Sequence, residues 1–200
     1  MRSKSLLATG LVFASLALAG TAHATSWLID PVHSTVGFSV RHFFAMVPGN
    51  FDKFSGSIEY DPANPTAASV KVDIDPASIN TKAEKRDNHL RSADFFDVAT
   101  FPAMSFQSTK VTKGEGNALS VEGNLTMHGV TKPVTLAVTF LGAGPAMGGQ
   151  RAGFQATTKI NRKDFGINWN KTVDNGMMLG DDVDINIGIE AYTPPPAEKK

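Results

Sequence analysis

The sequence predicts an all-β domain carrying one helical insertion. Three observations lead there. About eight stretches alternate apolar and polar residues with period two, the signature of a strand with one buried face. Short groups rich in Gly, Pro, Asn and Asp separate them, as turns do. One stretch alone, residues 78–108, carries a helix signal, and it holds the densest group of ionisable side chains. Each strand has a single apolar side, so all should share one interior. A closed barrel or a two-layer sandwich would provide it. Strands of roughly ten residues would be about 33 Å long, which suits a tall barrel. An eight-stranded barrel has room for side chains or for one small ligand.

Ahead of this domain, residues 1–24 read as a cleaved secretory signal. Arg2 and Lys4 supply the positive start, residues 6–19 are almost wholly apolar, and Ala22-His23-Ala24 is a small-x-small cleavage site. The mature chain is expected to begin near Thr25 and to work in the periplasm of a Gram-negative source. The signal takes two of the 19 basic residues and none of the 19 acidic ones. That leaves a formal charge of about −2 and no basic stripe of the kind a nucleic-acid binder needs. The chain contains no Cys, so core burial must hold it together, and its length is sufficient. A single domain is expected over residues 25–192. Residues 193–200, with three consecutive prolines, are expected to be a disordered tail.

Within the domain, residues 27–30 form a first strand stopped by Pro31. Val36, Phe38 and Val40 then mark the buried face of a second. Residues 43–47, Phe-Phe-Ala-Met-Val, are apolar on all sides and should lie against or inside the body. Phe51 and then Phe54, Ile58 and Tyr60 show a switch of phase, and Gly56 signals a bulge or a close approach. Val70, Val72 and Ile74 alternate with Lys71, Asp73 and Asp75. After the central block come Met104 and Phe106, and a hairpin loop at residues 113–117. The next alternating set is Leu119, Val121, Gly123, Leu125 and Met127, ended by a His128-Gly129 turn. Val134, Leu136, Val138 and Phe140 follow, then a flexible loop at 142–149. Phe154, Ala156, Thr158 and Ile160 make a further strand. A long excursion over 161–180 leads to the last one, with Val183, Ile185, Ile187, Ile189 and Ala191 on one face.

The central block predicts a helix opened by a capping box, Thr81-Lys82-Ala83-Glu84. Asp87 and Arg91, four apart, should pair on one face. Phe95, Phe96 and Phe101 then arrive within seven residues. The reading is a charged surface helix anchored by three rings, serving as a lid over the interior.

Several separated motifs carry a family resemblance. They are Trp27-x-Ile29-Asp30-x-x-His33-Ser34, Phe38-x-Val40-x-His42, and Gly49-x-Phe51-x-x-Phe54-x-Gly56. Next come Arg86-Asp87-x-His89-Leu90, Asp94-Phe95-Phe96-Asp97 and Phe101-Pro102. The last are Gly123-x-Leu125-x-x-His128-Gly129 and Asn161-Arg162-x-Asp164-Phe165-Gly166. In this order the chain resembles the YceI family of periplasmic lipid-binding proteins. The resemblance implies an extended, lipocalin-like, eight-stranded antiparallel barrel with a helical insertion, and an apolar tunnel for a long isoprenoid or fatty-acyl lipid. It also admits a homodimer, and contact with the membrane only through transient lipid exchange.

On that reading the tunnel would be lined by Phe38, Val40, Phe43, Phe51, Phe54, Phe95, Phe96, Met104, Phe106, Leu125, Met127 and Phe165. The polar mouth would be formed by His42, Arg86, His89, Arg91 and Asp94. An Arg fork suits an anionic or carbonyl head group. The plainer alternative is that the apolar residues fill a core and the charged helix face is merely solvated. Arg162 and Asp164 are expected to clamp a loop, and Asn168-Trp169-Asn170 to shape the other end of the opening. No metal, cofactor or catalytic group is expected. The four His of the mature chain (His33, His42, His89, His128) fit no ligand spacing, with His33 and His128 read as turn residues bonding to backbone. There is no Cys and no G-x-S-x-G elbow. Two other functions stay open from the residues: an enzyme acting on a lipophilic substrate through a His89–Asp87 or His42–Asp94 pair, and a ligand-free stress or interaction module with a filled barrel.

Overall fold

The structure, a computed structural model, describes residues 24–173 and 176–194. Most of the expected signal, and residues 195–200 of the expected tail, lie outside the described residues. Of that tail, Thr193 is tied to the body, its N–H donating to the Gln150 carbonyl at 3.1 Å.

Thirteen strands are described: β1 (Thr25–Ile29), β2 (Thr35–His42), β3 (Ala45–Phe51), β4 (Phe54–Tyr60), β5 (Ser69–Ile74), β6 (Ile79–Asn80), β7 (Met104–Lys113), β8 (Ala118–Met127), β9 (Val130–Ala146), β10 (Gly149–Asn161), β11 (Thr172–Val173), β12 (Gly176–Met177) and β13 (Leu179–Tyr192). Eight of them form a closed antiparallel ring in the order β1, β4, β5, β7, β8, β9, β10, β13. β13 returns to β1 through Leu28 opposite Tyr192 and Ile29 opposite Ala191. β2 lies along the rest of β13, and β3 along β2. The fold is therefore the eight-stranded barrel, not the sandwich. No helix among the described residues is long and apolar enough to cross a membrane.

Three staves of the barrel are broken, and the breaks explain the sequence pattern. β1 and β2 share one position, interrupted after Asp30. β3 and β4 share the next, interrupted at Asp52 and Lys53, which is where the apolar phase switches between Phe51 and Phe54. β5 and β6 form the third, separated by a 3-10 turn at Pro76–Ser78. Gly56 is a close approach: a Cβ there would stand 2.3 Å from the Lys71 carbonyl oxygen.

The third break makes the opening. β5 meets β7 only from Lys71 to Ile74, and β6 pairs with β3 alone. The helix α1 (Glu84–Arg91) and the segment after it fill the gap. At the other end the barrel is closed by a floor of rings. Tyr60 and Phe140 lie 4.8 Å apart, and each is 5.3 Å from Phe154. The Trp27 indole N–H reaches the Tyr60 carbonyl at 3.4 Å.

Four local expectations are corrected. The 142–149 segment is not a flexible loop: β9 and β10 run almost to meet, with a tight turn at Met147 and Gly148, both at positive φ. Of residues 43–47, only Val47 reaches the interior, where it lines the cavity; residues 44–46 stand out in solvent. The segment forms the tip of the β2–β3 hairpin, with Phe44 90% and Met46 50% exposed. Thr81 does not cap α1. Lys82 adopts φ 61° and the helix begins later, with Ala83 at its N-cap and no side-chain cap. Asp87 and Arg91 are not partners. Buried Asp87 accepts from the Thr81 N–H at 2.9 Å and from its hydroxyl. Arg91 donates to the Ala77 and Ile79 carbonyls at 2.7 and 2.8 Å.

Candidate functional site

The inward faces of the staves do not meet. They enclose a cavity of about 700 Å³, within the range of small-molecule sites. Its wall is aliphatic, from Val70, Val72 and Ile74 on β5 round to Val183, Ile185, Ile187 and Ile189 on β13. Period-two alternation on the long strands supplies this wall.

Nine of the twelve residues expected along a tunnel line the cavity: Phe38, Val40, Phe51, Phe95, Phe96, Met104, Phe106, Leu125 and Met127. Three do not. Phe43 sits in the exposed hairpin tip at φ 50°, its ring against His42 at 4.7 Å. Phe54 is buried at the β3–β4 break and belongs to the packed core rather than the wall. Phe165 lies in the 3-10 turn Arg162–Phe165, where the alternation of β10 has ended. Its ring is buried and its carbonyl bonds His128 at 3.0 Å.

Polar side chains gather at the end beside α1. Of the five expected at a mouth, His42, Arg86 and His89 line the cavity; Arg91 and Asp94 do not. Arg91 is spent on the Ala77 and Ile79 carbonyls, holding α1 to the broken third stave. Asp94 is bonded to His89 Nε2 at 2.8 Å. Arg86 donates to Thr81 at its hydroxyl, 2.6 Å, and its carbonyl, 2.8 Å. It lines the mouth while tying the lid down. His89 packs edge-on to Phe95 and to Trp169, each at 5.0 Å. Trp169 is thus on the same rim as His89, not at another end of the opening. His89–Asp94 is the His–Asp pair at the mouth; Asp87 is engaged by Thr81.

Sequence reasoning missed Lys85, Thr81 and Met178 on the rim, and Arg162 on the wall. Only 4% exposed, Arg162 donates to the carbonyls of Gly180 at 2.9 Å, Ile167 at 2.7 Å and Trp169 at 2.8 Å, and to Asp181 at 3.1 Å. The expected clamp is therefore real in its Arg, but its acid is Asp181; Asp164 is exposed. Burial lowers the Arg162 pKa, opposed by the charge of Asp181. The hydrogen bond from Lys163 holds Asp181 below the usual carboxylate range. No sequence signal distinguished Asp181 from the acids beside it, because the pairing depends on how the 162–180 excursion folds back.

The arrangement is a blind-ended, mostly apolar cavity with a polar rim. It can hold an apolar chain and leave a polar end at the mouth. A family model described as a YceI-like domain matches residues 27–191. Protein YceI of Escherichia coli O157:H7 is 46% identical over 169 residues, covering 82% of this chain and 87% of that one. Among solved structures, BcnA of Burkholderia cenocepacia superposes with a TM-score of 0.72 at 26% identity, covering 81% of this chain and 98% of that one. A polyisoprenoid binding domain from Saccharophagus degradans, implicated in plant cell wall breakdown, gives 0.62 at 17% identity over 86% of this chain and 99% of that one. This last likeness is one of fold.

Proposed function

The chain belongs to the YceI-like family, and from that premise we propose that it is an exported lipid-binding protein that carries or sequesters a polyisoprenoid or another long-chain lipid. The observation that carries this reading is the cavity: about 700 Å³, walled almost wholly by aliphatic and aromatic side chains, closed by rings at one end and polar at the other. A barrel built as a filled module would not keep its inward faces apart. The name of the Saccharophagus domain agrees in ligand class, but the ligand here is argued from the wall.

Magnitudes separate a carrier from a tight receptor. Each buried CH₂ is worth about 0.8 kcal/mol against water, so a long tail would reach the practical affinity ceiling of about 20 kcal/mol on area alone. The competitor is the membrane, where the tail is equally dry. Exchange between the two is near neutral, which suits pick-up and release. Selection then falls to the length of the cavity and to the rim, where His42, Arg86 and His89 can meet a quinone carbonyl or a prenyl phosphate.

The protein should be purified from a periplasmic extract, with its N-terminus read, and extracted with organic solvent for mass spectrometry. The expected result is a mature chain starting near Thr25 and a stoichiometric long-chain lipid. A protein that repeatedly yields no lipid, and takes up no added isoprenoid, is not a carrier. Turnover of a lipid ester lost on His89→Ala, with binding kept, would instead favour an enzyme using the His89–Asp94 pair.

A further inference from the structure

We propose that the tip of the β2–β3 hairpin is a docking wedge that seats the mouth of the barrel on an anionic phospholipid surface. The proposal rests on the lipid-carrier reading of the cavity and adds the place where exchange occurs. The tip is unusual in its residues. Two-residue hairpin turns with positive φ favour Asn and Gly; here the positions are Phe43, at φ 50°, and Phe44. A bulky residue at positive φ is uncommon, and it pushes Phe44 into solvent, 90% exposed, with Met46 half exposed beside it. The display is held firmly. The Phe43 N–H donates to the Met178 carbonyl at 2.8 Å, Arg41 Nη1 to the Phe43 carbonyl at 2.9 Å, and the Phe43 ring leans on His42.

The tip is continuous with the opening. His42, Val47, Met178 and Leu179, which surround it, all line the cavity. Its charges suit the same partner. Arg41 and Lys171 flank the tip, Lys85 and Arg86 stand on the rim, and Lys82 precedes α1, all exposed. Against them, among the described residues, are Glu84, Asp182 and Asp52, the last bonded to Asn80; Asp94 is engaged by His89, and Asp181 by Arg162 and Lys163. One inserted ring within a basic collar gives reversible attachment to an anionic bilayer. It does not suit a protein partner, because a stable interface buries about 800 Å² on each side and the exposed apolar surface here is one ring and half a thioether. The far end also exposes Val32, Leu141 and Met147. It lies over the closed floor beside Asp30 and Glu190, with no path for a lipid.

The test compares the wild-type protein and Phe44→Asp by co-sedimentation with vesicles of phosphatidylglycerol and phosphatidylcholine, and of phosphatidylcholine alone. Phe44 lines nothing, so the variant should fold and take up geranylgeraniol added from ethanol as the wild type does. Wild type should bind the anionic vesicles and release them in high salt. Phe44→Asp should lose about tenfold or more in that partitioning, and should slow prenol uptake from vesicles in proportion. Equal binding to both vesicle types, or binding unaffected by Phe44→Asp, overturns the proposal. So does a wild-type dimer, seen by analytical ultracentrifugation without vesicles, that the variant abolishes. Vesicle binding that depends on Phe44 in a protein that takes up no prenol by either route supports the docking surface and sinks the carrier reading instead.

Discussion

His33, Asp30, Glu190 and Arg151 meet where β1 breaks, and their arrangement decides what the cluster does. The ligand atoms of Asp30, His33 and Glu190 lie within 4.8 Å of one another, a spacing that could hold a cation. Arg151 already supplies one: its Nη1 is 2.7 Å from Asp30 and 3.2 Å from Glu190. The cluster is therefore an ion-pair latch joining β1 to β10 and β13. The hydrogen bond from His33, and then that from Arg151, hold Asp30 well below the usual carboxylate range, and the bond to Asp30 raises the pKa of His33. The His33 contribution to stability is complete below the unfolded value of about 6.5 and is lost as pH rises through its folded value. That of Asp30 is complete above about 3.9 and is lost as pH falls through its depressed value. The latch should be strongest between about pH 4 and 6.5. Thermal melts should show a small fall between pH 5.5 and 8.5, because His33 is half exposed, and His33→Asn should flatten it. An unchanged pH dependence in that variant would show that His33 adds nothing to the latch, which then rests on Arg151 with Asp30 and Glu190. From the sequence His33 was a turn residue bonding to backbone; its carboxylate partner follows only from the fold.

At the scale of an element, α1 shows how charged side chains hold a lid without apolar burial. Of its eight residues only Asp87 is buried. Asp87 grips the N–H and hydroxyl of Thr81, Arg86 grips the same residue, and Arg91 reaches back to Ala77 and Ile79. Hydrogen bonds to a charged group are worth about 1.5–3 kcal/mol each, so Asp87→Ala should cost about 2–3 kcal/mol in urea unfolding. It should also raise amide exchange across residues 81–103 while that of β8 to β10 stays protected. Uniform loss of protection would mean that the lid and the barrel unfold as one. The helix and the rings of Phe95 and Phe96 were legible, because polarity and aromatic spacing are local; Phe101, read as a third anchor, packs on His128 instead. The contacts of the helix were not. Spacing rules assumed that Thr81 and Arg91 belong to one helix and serve it. Lys82, at positive φ, sets Thr81 outside the helix, where Asp87 and Arg86 reach it, and Arg91 bonds to Ala77 and Ile79 at the break between β5 and β6. The 142–149 segment failed for a related reason: its small residues read as loop but pair in register as the ends of β9 and β10.

The whole molecule is a tube with one closed end; period-two alternation made a shared interior and most of its wall readable in advance, and strand length with the family resemblance, rather than alternation, pointed to a barrel over a sandwich. The depth of the tube was not readable, because it depends on which inward residues meet across the axis. Tyr60, Phe140 and Phe154 come from three different strands and close the floor only when the ring is complete. Depth is also what should set chain length in a lipid that exchanges at near-neutral cost. Ala156, one inward step above Phe154 on β10, lines the cavity. Ala156→Phe should raise the floor and fill space without unfolding the barrel. Phe154→Ala should lower it, at a cost of about 3–5 kcal/mol for the lost ring, which the closed ring of strands must absorb. Mass spectrometry of lipids taken up from a mixed-length prenol pool should then show opposite shifts: shorter chains in Ala156→Phe, and longer ones, or more of them, in Phe154→Ala. Identical profiles in wild type and both variants would mean that the tail stops short of the floor, and that selection rests with the rim residues His42, Arg86 and His89 alone.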